Sequence, residues 1–124
     1  MEQITIEELY QKLKDRIADA SNLEEFYIGR TDDVNQRGKE HYEKDNLPIT
    51  IPLAKGEKDV ISNAEKYIQR IIKNNKKCSN ERIGGGSIGD TLYISYRNAV
   101  PQYNTIEDLY DEAFEWNTIY ILIK

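Results

Sequence analysis

Apolar residues recur at helical spacing in four stretches of the chain and alternate or run together in four others. Ile6, Leu9, Tyr10, Leu13 and Ile17 form one helical stripe, and Thr5-Ile6-Glu7-Glu8 ahead of it is a capping box with Ile4 and Leu9 as its hydrophobic staple. This helix runs to about Ala20. Glu25 to Gly29 reads as a short strand, and Asp32 or Asp33 caps a second helix from Val34 to about Lys44. Pro48-Ile49-Thr50-Ile51-Pro52 is β-branched, and its prolines, which cannot donate to a ladder, predict an edge strand. A third helix spans about Lys58 to Asn74, with Ile61, Ala64, Ile68, Ile71 and Ile72 as its apolar stripe. Thr91 to Arg97 is a strand. Thr105 starts a fourth helix whose apolar face is Ile106, Leu109, Tyr110, Ala113 and Phe114, and the unbroken run Thr118-Ile119-Tyr120-Ile121-Leu122-Ile123 predicts a strand covered on both faces. Short β-branched runs alternating with capped helices give an α+β fold, a small, mostly antiparallel sheet with three to four packed helices. No internal repeat or low-complexity linker interrupts the chain, so residues 1–124 are expected to form a single domain.

Chemistry concentrates where the first of these strands meets the next helix. Tyr27-Ile28-Gly29-Arg30 leads through Thr31-Asp32-Asp33 to Arg37 and His41. Arg37 and His41 are four residues apart and share a helix face. Beside a bound phosphate, an arginine supplies bidentate charge stabilisation and a histidine donates or shuttles a proton. Taken alone, a histidine such as His41 is more often a solvated or capping residue, and Tyr27 a packed strand aromatic. Glu65 falls inside the apolar stripe of the third helix. A carboxylate placed there must find a cation, a donor or a proton, either a metal ion or an ion pair such as one with Arg37.

These residues resemble the second half of the GIY-YIG endonuclease signature, in which a Tyr-Ile-Gly strand precedes a helix bearing an arginine and often a histidine. The likeness covers roughly residues 26–86. It assigns Glu65 to the family's metal-binding glutamate, and Asn80 with Gly84-Gly85 to its closing Asn and Gly-Gly. The resemblance implies a nuclease in which Glu65 holds Mg²⁺ or Mn²⁺, Arg37 neutralises the phosphate, Tyr27 touches the attacking water or scissile phosphate, and His41 and Asn80 position groups. Residues 1–25 contain no Gly-Ile-Tyr strand. Thr91-Leu92-Tyr93-Ile94 or Thr118-Ile119-Tyr120-Ile121 resembles the lost strand, so Tyr93 or Tyr120 would enter the site from elsewhere in a rearranged version of the fold.

Charge sharpens this picture. The net charge is −5, yet it is unevenly spread. Residues 1–26 carry 3 Lys/Arg against 7 Asp/Glu, residues 27–86 carry 12 against 9, and residues 87–124 carry 2 against 6. The basic excess therefore falls on the nuclease-like segment. It is densest at Lys66, Arg70, Lys73, Lys76, Lys77 and Arg82, which could track a phosphate backbone, DNA foremost; the competing reading is a solvated helix face. Gly84-Gly85-Gly86-Ser87 exposes backbone N–H groups but lacks the lysine of a P-loop, so a flexible connection is favoured over a phosphate cradle. The acidic start is unlike a signal peptide, no segment has membrane-spanning length, and the single Cys78 excludes an internal disulfide, all of which point to a cytoplasmic protein without a membrane partner. Two functions follow, a small metal-dependent endonuclease or a catalytically inactive binding module of the same fold, such as an acidic inhibitor or a nucleotide- or partner-sequestering protein.

Overall fold

A computed structural model of the chain describes residues 2–80, 88–101, 104–116 and 119–124. Its elements are β1 (Glu2–Ile4), α1 (Ile6–Asp19), β2 (Leu23–Thr31), α2 (Val34–Glu40), β3 (Ile49–Lys55), α3 (Lys58–Ile72), β4 (Thr91–Asn98), α4 (Ile106–Trp116) and β5 (Tyr120–Leu122). A π-helical turn, His41–Asp45, continues α2. The fold is α+β as expected, and the five strands lie in the order β1-β5-β3-β4-β2. The sheet is mixed rather than mostly antiparallel. β2, β4 and β3 pair antiparallel, but β5 runs parallel to both β3 and β1.

The N-terminal capping box forms as read. The Glu8 N–H donates to Thr5 Oγ1 at 3.2 Å, the Thr5 N–H donates to Glu8 Oε1 at 3.2 Å, and Ile4 and Leu9 are both buried. The three-residue strand just ahead of it has no counterpart in the sequence reading; it exists because Ile4 pairs beside Leu122. β3 is interior, between β5 and β4, rather than an edge. Its Pro52 is tolerated because β5 reaches only Ala54 and Lys55, and the β3–β4 register shifts between Pro52 and Ala54.

Period-two alternation divides the sheet into two faces. Phe26, Ile28, Ile94, Tyr96, Ile51 and Leu53 point into one hydrophobic core with residues of α1 and α3. That core draws on residues from Ile4 to Leu122, so its cluster runs through the whole chain. On α3 the buried set is Val60, Ile61, Ala64, Glu65, Ile68, Gln69 and Ile72, whereas Ile71 is exposed. On α4 the inward residues are Leu109, Ala113 and Trp116; Ile106 and Tyr110 face solvent, and the Phe114 side chain lies outside the described residues. The helix turns about its axis relative to the expected face because Trp116 packs on Tyr96, ring centroids 5.3 Å apart. The opposite sheet face carries Tyr27, Gly29, Tyr93, Ser95 and Thr50, and α2 packs across β3 and β4 there. Among the described residues no helix is long and apolar enough to cross a membrane.

Candidate active site

The α2 face of the sheet gathers the polar aromatics. Gly29 stands opposite Tyr93 in the β2–β4 ladder, and the Tyr93 phenol lies across it. A Cβ on Gly29 would sit 2.6 Å from Tyr93 Oη and 2.7 Å from both Tyr93 Cζ and Tyr27 Cε1. The glycine of Tyr-Ile-Gly is therefore a space requirement for two phenols. Tyr93 is fully buried, and its hydroxyl lies 2.8 Å from His41 Nε2. The Tyr27 ring is 4.6 Å from the imidazole and 6.2 Å from the Tyr93 ring.

His41 is held from both sides. Its Nδ1 lies 2.7 Å from Asp45 Oδ2 and the ring is 4% exposed. Asp33 caps α2 by accepting the Gln36 N–H at 3.1 Å. At the other end Asn46 adopts the left-handed conformation (φ 55°), its N–H bonds to the His41 carbonyl, and Arg97 Nη1 donates to the Asn46 carbonyl at 2.9 Å. Single π turns of this kind recur at functional sites; here the turn carries both His41 and Asp45. Arg37 pairs with Glu40 at 2.6 Å, while its Nε is buried without a hydrogen-bond partner among the described residues.

Glu65 is fully buried at the side of β2, and neither carboxylate oxygen has a hydrogen-bond partner among the described residues. Its near cation is Arg30, with Nε 3.6 Å from Oε1, rather than Arg37 as the ion-pair reading supposed. α3 is fixed along this strand by Gln69, one turn further on, which donates to the Ile28 carbonyl at 2.9 Å. Asn80 accepts the Ile28 N–H at 2.9 Å and donates to the Ile28 carbonyl at 2.8 Å. Its side chain thus mimics a neighbouring strand and positions Tyr27-Ile28-Gly29 from outside.

Burial sets the proton affinities. It pushes the Tyr27 and Tyr93 phenols up, opposed by the Arg37 guanidinium beside both and reinforced by the Glu65 charge. Burial lowers His41, with Arg37 acting in the same sense and Asp45 against it, so the imidazole is neutral at neutral pH. Burial raises the Glu65 carboxyl against the lowering charges of Arg30 and Lys66.

The expected residues Tyr27, Arg37 and His41 meet here, Glu65 is paired with Arg30, and Asn80 serves the strand. Of the two tyrosines proposed for the missing strand, Tyr93 is at the centre. Tyr120 is buried toward α1, its ring under Lys12 Nζ at 5.5 Å. The constellation consequently extends past residues 26–86 to β4. Sequence reasoning passed over Arg30 and Asp45, although Asp45 stands four residues after the chain's one histidine.

Lys66, Arg70 and Lys73 are spaced to share one face of α3 starting beside Glu65, and with Lys76 and Lys77 they make no ion pair among the described residues. Arg82 and Gly84 to Ser87 lie outside the described residues. A groove of about 500 Å³ elsewhere is lined by Asp19, Asp108, Asp111, Glu112, Glu115 and Trp116. Its carboxylates repel phosphate, so this groove is not where a nucleic acid would be cut.

Among the described residues no group of three or more His, Cys, Asp or Glu is placed to hold a metal. Mg²⁺ keeps several waters and binds through one or two carboxylates plus substrate phosphate; the carboxylate expected for it, Glu65, is fully buried with Arg30 Nε 3.6 Å from Oε1. Two unsatisfied carboxylate oxygens are the kind of donor such an ion takes. No protein-family model, curated protein or solved structure matches the chain.

Proposed function

We propose that the protein is a small divalent-metal-dependent endonuclease that hydrolyses phosphodiester bonds in nucleic acid, DNA foremost. It would be a rearranged GIY-YIG-like domain in which Tyr93, on the strand after the glutamate helix, takes the place of the absent N-terminal tyrosine. The observation that carries the reading is the assembly of Tyr27, Tyr93, Arg37 and His41 on one sheet face, with the charge of the buried Glu65 acting on both phenols. A structural ion pair between Arg30 and Glu65 needs neither of the two phenols.

In this reading Glu65 would hold the metal ion, which would supply positive charge at the phosphate and the leaving oxygen. Arg37 binds the phosphate and offsets charge that builds on it in the transition state. Tyr93 takes the proton of the attacking water while passing its own to His41 Nε2. Tyr27, half-buried, lies against both rings and would touch the water or the scissile phosphate. Lys66, Arg70, Lys73, Lys76 and Lys77 run along one side of the duplex as backbone contacts. A cytoplasmic location accords with the half-buried free thiol of Cys78. Purified wild type with Mg²⁺ or Mn²⁺ should nick DNA, and Arg37→Ala and Glu65→Gln should abolish nicking while keeping the fold. Wild type that cleaves neither single- nor double-stranded DNA or RNA with either metal would replace this reading by the inactive binding module.

A further inference from the structure

We propose that Asp45 is a positioning residue that locks His41 in the Nδ1–H tautomer, leaving Nε2 bare to receive the Tyr93 proton. The inference rests on the nuclease reading and extends it to a residue outside the motif.

The argument is one of donors and acceptors. An ionised carboxylate only accepts hydrogen bonds, so the 2.7 Å contact between Asp45 Oδ2 and His41 Nδ1 puts the imidazole proton on Nδ1. A neutral ring then has a lone pair on Nε2, and the Tyr93 hydroxyl 2.8 Å away must donate to it. The groups facing the ring from every neighbouring element are Arg37 and Glu40 of α2, Asp45 of the π turn, Tyr27 of β2 and Tyr93 of β4. Of the two facing acids only Asp45 contacts the ring, while Glu40 is taken up by Arg37. The π turn is what brings the acid to this place, with the Leu47 N–H bonded to the His41 carbonyl at 3.1 Å and Arg97 holding Asn46.

The hydrolytic step then balances. A water oxygen forms a bond to phosphorus as the bond to the leaving sugar oxygen breaks. The departing oxygen keeps the electron pair and takes a proton from bulk water. The proton lost by the attacking water moves to the Tyr93 oxygen, the Tyr93 proton moves to His41 Nε2, and the resulting imidazolium is stabilised by the Asp45 carboxylate. The imidazolium then releases its Nε2 proton to the hydroxide left by the water that protonated the leaving oxygen, which returns His41 and Tyr93 to their starting state.

His41 is the only histidine of the chain, so its ring nitrogens can be read without assignment ambiguity. Long-range proton–nitrogen NMR at neutral pH should show wild type with Nδ1 protonated and Nε2 bare. Asp45→Asn should shift the population toward Nε2–H, because an amide can donate to Nδ1, and should lower kcat roughly tenfold to a hundredfold with KM unchanged, the range seen when a group orienting an imidazole is lost. Asp45→Glu, which keeps the carboxylate, should recover part of both. A wild-type ring protonated mainly on Nε2 overturns the inference, as does an Asp45→Asn protein with wild-type tautomer populations or wild-type kcat. The Asp45 carboxylate is half-exposed, so the variant should fold; should it not melt cooperatively, the wild-type spectrum alone decides. Absent cleavage with the Nδ1–H form intact would refute the nuclease reading instead, whereas an Nε2–H ring in a wild type that cleaves would refute the role of Asp45.

Discussion

Gly29→Ala sets two physical effects against each other with opposite signs. On backbone grounds alone, replacing a glycine inside a strand should stabilise the protein by about 0.5–1 kcal/mol, because alanine has less chain entropy to lose. Gly29 has no positive φ that would forbid a side chain. Space decides otherwise. The new methyl would lie 2.6 Å from Tyr93 Oη and 2.7 Å from Tyr27 Cε1, against the roughly 3.5 Å or more that carbon contacts need. The Tyr93 phenol must therefore retreat by about 1 Å. Its hydroxyl is 2.8 Å from His41 Nε2, and a shift of that size takes the pair beyond hydrogen-bond reach. Overpacking costs about 1–3 kcal/mol and the broken buried bond about 1 kcal/mol more, so destabilisation of about 2 kcal/mol should remain after the entropy gain. Thermal melting would fall by roughly 5–10 °C for a domain of this size, and the His41 ring resonances would change with it. A variant that melts at or above the wild-type temperature with its histidine spectrum unchanged would refute the argument that this glycine exists to seat the phenols.

Other outcomes follow from the same site. Glu65→Gln should melt no lower than wild type at pH 7: burial raises the Glu65 carboxyl, so folding loses stability as pH rises from the unfolded value through the folded one, a cost glutamine does not carry. His41 is lowered from its ordinary 6.5 by burial, so the unfolded chain takes up its proton first and stability should fall as pH drops below about 6.5; His41→Gln should flatten that part of the stability–pH curve. Replacing Lys73, Lys76 and Lys77 by Gln should reduce the slope of log affinity against log salt for DNA by up to about three phosphate contacts, measured by titration at several salt concentrations, and an unchanged slope would assign these lysines to solubility.

The parts of this fold that local chemistry dictates are the parts legible in the sequence. The Thr5–Glu8 box, the Asp33 cap and the alternation through Phe26 and Ile28 name their elements without tertiary help. Pairing partners are set by long-range packing, so the parallel β1–β5 edge and the interior place of β3 were not legible. On the site, Glu65 announced itself as an acid in an apolar stripe, and it is fully buried. The choice between Tyr93 and Tyr120 depended on which strand pairs with β2, which no local pattern encodes. Asp45 needed only the i, i+4 rule applied once more from His41, but its meaning depends on a π turn that a straight helical reading does not anticipate.

The central claim is that Glu65, in company with Tyr93, Arg37 and His41, makes this chain a phosphodiesterase. A nicking assay on supercoiled plasmid with purified wild type and Glu65→Gln, each with Mg²⁺, with Mn²⁺ and with a chelator, tests it most directly. The account predicts metal-dependent conversion of supercoiled to open-circular DNA by wild type, abolished by the chelator and lowered at least about a hundredfold in Glu65→Gln while circular dichroism and melting stay those of a folded protein. Cleavage that survives the substitution would contradict it, and so would a folded wild type that leaves the plasmid intact with both metals.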